Sequence, residues 1–297
     1  MSSPFLKGFL LVVFASILWG AMGTVVQYLF SVPSGFTALG LVTLRQLAAG
    51  TIFVAAASLF MPKAMWGIFK NPRDVLDIVV AGIFVFGGHY GFFQSIYYSN
   101  AGTGAVLLTL VPLLSGVWIA LRHHRFVTPV ETVCFVLAAA GVALIVTDGD
   151  FSRLQFSPLA IVWGLVAAVF SAAYLIQPAG IIRRVGVIPV AAWSILVGGL
   201  IASSVCHPWT LDIRWTVEVA ASFGFIVIFG TVLAFYCYMS GLKYLSPVVM
   251  GLLNCAEPLS AFLFSIIFLS DRFGAWQCLG VAMVLANVCL LTLAPRR

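Results

Sequence analysis

The sequence predicts an all-α polytopic membrane protein: ten transmembrane helices, built as two inverted five-helix repeats around a central cavity. Three observations predict it. Of 297 residues, 62% are hydrophobic and only 8% are charged, whereas a soluble domain carries roughly a quarter charged residues. The apolar residues gather into ten runs, each about 20 residues long, the length a helix needs to cross a bilayer's hydrocarbon core. The basic residues between the runs fall on alternate loops.

The runs predict spans at 5–30, 36–60, 75–98, 102–121, 127–146, 157–182, 186–206, 216–241, 246–269 and 274–294. Little chain is left over, so no separate soluble domain is expected. Each span must be helical, because lipid offers backbone N–H and C=O groups no partner. The first run is too long for the apolar stretch of a secretory signal and nine more follow it, so it is expected to be retained.

Charge sets the orientation. With a cytoplasmic N-terminus, the inner segments hold Lys7, then Lys63, Lys70 and Arg73, then Arg122 and Arg125. Arg183, Arg184, Lys243, Arg296 and Arg297 complete the set, which is 11 of the 15 basic residues. The outer loops hold Arg153, Arg214 and Arg272. This asymmetry predicts a multi-pass membrane protein with both termini cytoplasmic. The net charge of +6 reads as insertion signal and contact with anionic lipid. Nucleic acid is not an expected partner, because the basic residues are spread over six segments. The six cysteines show no C-x-x-C pair and read as small apolar packing residues, so neither a disulfide framework nor a metal site is expected.

The halves correspond. The segment from Val111 to Phe126 aligns with that from Glu257 to Phe273, placing Pro112 on Pro258 and Arg125-Phe126 on Arg272-Phe273. Ser16 to Gly20 aligns with Ser171 to Leu175. The expected organisation is a first repeat at 1–146, a polar linker at 147–156 (TDGDFSRLQF) on the outer face, and a second repeat at 157–297. Five spans per half is odd, so the second half enters the membrane from the opposite side. Inverted repeats of this kind, with a site near the midplane between them, are a transporter signature.

These residues also carry a family resemblance: Trp19-Gly20, Leu44-Arg45, Pro112, Ala173-Tyr174, Glu257-Pro258, Asp271-Arg272 and the last span around Gly280. In that order they resemble the drug/metabolite transporter superfamily, in particular its ten-helix permeases of two EamA-type repeats. The similarity is greatest to the aromatic amino acid exporters of bacterial inner membranes. It implies a basket of helices around a central cavity, lined by spans one, three, four, six, eight and nine, with five and ten packed behind. The family's second repeat usually reads EP…GE near span nine; here the second acidic position is Asp271.

Strongly polar groups at bilayer depth are costly and turn toward a partner or a wet cavity, which selects the candidate site. In span three, Phe86, His89, Tyr90, Phe93, Gln94 and Tyr97 follow i, i+3, i+4, i+7, i+8, i+11, one helical face. It is read as a substrate-binding face that stacks a flat ring, against the alternative of interhelical packing. Span six adds Trp163, Tyr174 and Gln177, with Trp163 serving either the cavity or the outer interface. Trp19 is expected as a cavity aromatic, and Asn254 as a polar liner beside Glu257. Thr109, Pro112, Ser115, Thr231, Phe235 and Tyr238 are liners of lower rank.

Four residues are assigned to gating or coupling. Pro112 and Pro258 break helices at matching positions. Glu257, the acid nearest mid-membrane, either carries a proton or ammonium, or holds the broken helix. Arg45, the one basic residue well inside a span, either meets a carboxylate or, as preferred here, snorkels or bonds helix-end carbonyls. His123 and His124, beside Arg122 and Arg125, read as solvated.

Function classes follow. There is no G-x-x-x-x-G-K-[S/T] segment, so ATP is not expected to drive the protein through that motif. No cofactor is expected. The leading expectation is a secondary carrier exporting neutral, preferentially aromatic, amino acids and related metabolites by alternating access. The alternative is an exporter of lipophilic cations or a metabolite exchanger. A membrane enzyme or receptor ranks below both, because the ionisable residues at depth are few and scattered. The expected partners are a small-molecule substrate and the lipid bilayer; a homo-oligomer is compatible with the sequence but specified by no motif in it.

Overall fold

A computed structural model describes residues 3–122, 129–150, 155–241, 243–245 and 247–293. His123, His124 and Arg125, residues 151–154 of the expected linker, and Arg296 and Arg297 lie outside these. The described residues form helices and connecting turns, without a strand. Among the described residues, seven helices are long and apolar enough to cross a membrane: Pro4–Ser31, Ala38–Phe60, Pro72–Tyr98, Ala101–Trp118, Pro158–Ile176, Val187–Cys206 and Val217–Gly241. The other three expected spans meet shorter apolar helices, Thr132–Thr147, Ala256–Leu269 and Ala275–Ala286.

In chain order the helices are α1 (Ser3–Ser31), α2 (Ala38–Phe60), α3 (Pro62–Gly67), α4 (Pro72–Tyr98), α5 (Ala101–Leu108), α6 (Val111–Arg122), α7 (Pro129–Thr147) and α8 (Pro158–Ile176). The second half continues with α9 (Ala179–Val185), α10 (Val187–Cys206), α11 (Val217–Val227), a π-helical segment at Ile228–Leu233, α12 (Ala234–Gly241), α13 (Pro247–Leu253), α14 (Ala256–Leu269) and α15 (Ala275–Leu293). Local chemistry places several starts. Thr37, Asn71, Asn100, Ser157 and Thr216 each accept a bond from a backbone N–H of the helix that follows. Such caps satisfy donors that no intrahelical carbonyl reaches.

Four expected spans are interrupted. Span four breaks at Thr109–Leu110, span six at Gln177–Pro178 and span nine at Asn254–Cys255, while span eight contains the π segment. In spans four and nine the break is a tightened turn: Thr109 N–H donates to Val106 O (3.0 Å), and Cys255 N–H to Leu252 O (3.2 Å). Pro112 and Pro258 then sit in the first turn of α6 and α14, where a missing N–H costs nothing. They start new helices rather than kink continuous ones.

Packing pairs α4 with α8, α2 with α10, and α7 with α15, while α1 lies against both α12 and α14. Small residues set the closest approach, as is usual between membrane helices. A Cβ on Gly280 would lie 2.5 Å from Gly141 O, and one on Gly141 would lie 2.8 Å from Gly280 O. Both neighbours are backbone and cannot rotate away. Gly280→Val is therefore expected to destabilise the fold by about 1–3 kcal/mol, visible as a lowered melting temperature in detergent; an unchanged value would refute this contact.

Candidate functional site

The α4 face assembles in part. Phe86 stacks on Tyr90 (centroids 5.8 Å apart, planes at 14°), and Trp163 of α8 meets Tyr90 edge-on at 5.2 Å. Gln94 Nε2 donates to Tyr90 Oη at 2.7 Å, one helical turn away. Trp19 of α1 makes a second aromatic group, packing on Phe235 at 5.4 Å and Tyr238 at 5.0 Å. One buried cluster around Met22, Phe92 and Phe93 has Trp19, Phe86 and Tyr90 packed against it. Trp19 of α1 and Phe86, Tyr90 and Phe93 of α4 thus meet one apolar core.

The α13–α14 break builds a polar point beside this core. Ser16 Oγ donates to Asn254 Oδ1 (3.1 Å), and Asn254 Nδ2 donates to Glu257 Oε2 (3.3 Å). Gly20 lets α14 approach, since a Cβ there would lie 2.6 Å from Glu257 O. Glu257 is held by the break itself, which agrees with a structural role without excluding contact with a ligand.

Arg45 departs from expectation. It is 1% exposed, so it does not snorkel, and its bonds go to side chains rather than helix-end carbonyls. Nη1 donates to Thr231 Oγ1 at 3.3 Å and lies 3.7 Å from Met22 Sδ. Its guanidinium lies 4.9 Å from the centroid of the Phe93 ring. Thr231, on the π segment, donates its hydroxyl hydrogen bond to Ile226 O at 2.9 Å, which leaves its oxygen free to accept from Arg45. Nε and Nη2 have no partner, and among the described residues no carboxylate lies within 4.0 Å of Arg45. Burying an ion costs several kcal/mol even after relaxation, and a cation–π contact returns only about 2 kcal/mol when desolvated. The balance is left open within the chain.

Next to it, Gln46 is fully buried. Its Nε2 lies 2.9 Å from His89 Nδ1 and 3.4 Å from Val85 O, which joins the α4 face to α2. Sequence reasoning passed over Gln46 and Met22. The signal for Gln46 was available, because a carboxamide midway along an apolar run meets the same criterion that selected Gln94.

Three candidates fall elsewhere. Tyr97 is 54% exposed and packs on Phe30 and Tyr98; it lies eight residues beyond His89, about 12 Å of helical rise. Gln177 bonds the backbone and side chain of Asp77 (3.2 and 3.3 Å), some 18 Å below His89 along α4. Its expected depth near the cavity is thus corrected: the break before Pro178 carries it to the bundle's end. Tyr174 packs in a separate cluster with Phe53, Val85 and Ile195. A cavity of about 430 Å³ is lined by Asn100, Asp148, Asp271, Arg272 and Gln277 among others, and by none of the predicted site residues.

Polar clamps occupy both ends. At the end carrying Lys63 and Arg73, Arg184 of α9 pairs with Asp74 of α4 and lies 3.6 Å from Asp77. At the other end, Gln27 of α1 accepts from Ala101 N–H of α5 (2.7 Å) and donates to Asp271 Oδ2 (2.8 Å). The aromatic core and Arg45 lie between.

The fold defines a polytopic helical membrane protein. The profile of the EamA-like transporter family matches residues 6–147 and again 158–293, and the chain belongs to that family. It is 30% identical over 292 residues to a protein described as the uncharacterized inner membrane transporter YicL of Salmonella typhimurium, covering 98% of this chain and 97% of that one. It is 26% identical to protein PecM of Dickeya dadantii, covering 84% and 80% of the two chains. It is 25% identical to the uncharacterized transporter YwfM of Bacillus subtilis, covering 97% and 94%. A protein of known crystal structure shares the fold with a TM-score of 0.63 at 19% identity, over 97% of this chain and 96% of its own.

Proposed function

We propose that this chain is a secondary carrier of the bacterial inner membrane that exports neutral, preferentially aromatic, amino acids and related metabolites by alternating access. The observation that carries the reading is the shared core of Trp19, Phe86, Tyr90 and Phe93 between the two clamped ends. Aromatic walls with few polar groups favour flat apolar solutes and discriminate weakly between similar ones. The description of YicL as an inner membrane transporter supports the location, and the basic loops support cytoplasmic termini.

Two inverted repeats, 1–146 and 157–297 around the linker 147–156, underlie the proposed motion. The packing supports them. Exchanging the halves carries the α2–α10 and α7–α15 pairs onto themselves, α4–α8 onto α12–α1, and α6–α8 onto α14–α1; all of these pairs are present. The family profile's two matches support the same division. The clamps then act as alternate gates.

Flux in proteoliposomes tests the reading. Phenylalanine and tryptophan are expected to exchange across the membrane, and Trp19→Ala is expected to raise the half-saturation concentration about tenfold, given the size of aromatic contacts. Absence of flux for every neutral amino acid would refute the substrate class. Glu257 beside Asn254 favours a second reading, export of lipophilic cations; Arg45, buried without a carboxylate, opposes it.

A further inference from the structure

We propose that Arg45 is an anion subsite: it takes the carboxylate of the transported molecule, and the ammonium group of an amino acid is not required for binding. The inference rests on the transport reading and names the substrate class of that same site. Arg45 is 1% exposed and keeps Nε and Nη2 without partners. Its remaining contacts are a hydroxyl, a thioether and an aromatic ring, none of which neutralises a cation. A guanidinium presents its N–H groups in a planar fork that matches the two oxygens of a carboxylate. With Nη1 on Thr231, Nε and Nη2 are left to donate to such a pair of oxygens.

The surroundings suit an aromatic acid. Phe93 lies under the guanidinium, and Met22 belongs to the same cluster against which Trp19, Phe86 and Tyr90 pack. Met is polarizable and adapts to ring edges. The acid that an ammonium would need is elsewhere. Glu257 is tied through Asn254 to Ser16, while Arg45 meets α1 at Met22. Among the described residues no carboxylate lies within 4.0 Å of Arg45, and Glu257 already accepts from Asn254, so no acid stands at the arginine itself to receive an ammonium. Anchoring through the carboxylate leaves the ammonium unrecognised. The class is therefore aromatic monocarboxylates, with amino acids as members of it, and aromatic amines excluded.

The test uses the purified full chain and three probes of one skeleton: phenylalanine, 3-phenylpropionate and phenethylamine. Thermal stabilisation in detergent measures binding, and flux in proteoliposomes measures transport. Wild type is expected to be stabilised by both carboxylates and not by phenethylamine. Arg45→Met, which keeps the volume and removes the unpaired charge, is expected to melt at or above the wild-type temperature while losing about tenfold or more in carboxylate affinity. Arg45→Lys, which keeps the charge without the fork, is expected to fall between. Equal stabilisation of wild type and Arg45→Met, no stabilisation of wild type by either carboxylate, or stabilisation by phenethylamine would each overturn the proposal. Carboxylate binding that depends on Arg45 but comes with no flux would support the subsite and overturn the transport reading instead.

Discussion

In Asp74→Asn, a membrane-impermeant maleimide applied from the face carrying Lys63 and Arg73 should react faster with a cysteine placed at Tyr174. Asp74 is nearly buried, with 8% of its side chain exposed, and its partner Arg184 rides on α9. That helix is seven residues long and is bounded by Pro178 and by Gly186 at φ +92°. It pivots at these two backbone points and is tied to α4 by the Arg184 pairs with Asp74 and Asp77 and by Ile181, which packs with Ile78. The partner arginine is half exposed, so the pair's worth is discounted to about 0.5–1 kcal/mol. A loss of that size shifts the open-to-closed ratio by a factor of about 2–5. The exchanged pair Asp74→Arg with Arg184→Asp should slow labelling again. Labelling unchanged by Asp74→Asn would show that the pair does not hold this end closed.

Gln27→Leu should do the reverse from the other side. One carboxamide joins three elements: α1, the first N–H of α5 and the Asp271 carboxylate before α15. Leucine of similar bulk leaves a helix-end donor and a carboxylate without that partner. Such losses run to about 1–3 kcal/mol, which corresponds to roughly 5–150-fold in a two-state ratio. A cysteine at Gly23, where an added Cβ finds only ordinary contacts, reports the opening. Reagent from the Asp271 face should label it faster in Gln27→Leu, and reagent from the Lys63 face should not. Opening at both faces together would contradict alternate gating.

The sequence displayed the bundle more fully than the site. Long apolar runs, loop charges and matching prolines are one-dimensional signals, and among the described residues they located the seven membrane-length helices and the three shorter apolar ones. Periodicity placed Phe86, Tyr90 and Gln94 on one face, and those side chains do meet. The same rule overreached at Tyr97: eleven residues return to the same angle but climb about 16 Å, so a shared face is not a shared level. Gln177 failed for a related reason, since depth was counted along a helix that in fact ends before Pro178. The surroundings of Arg45 were not legible at all. Met22, Phe93 and Thr231 come from three different spans, and no pattern within a span says which faces of separate helices will touch.

The π segment at Ile228–Leu233 ties that arginine to the rest of the second half. A π turn holds back one residue relative to an α-helix. Rewinding it to α geometry would rotate everything after Leu233 by about 100° and advance it by about 1.5 Å. Phe235 and Tyr238 ride on that downstream helix against Trp19, while Thr231 within the segment holds Arg45. Any such rewinding would therefore move the hydroxyl that touches the guanidinium and the two rings that touch Trp19 in one step.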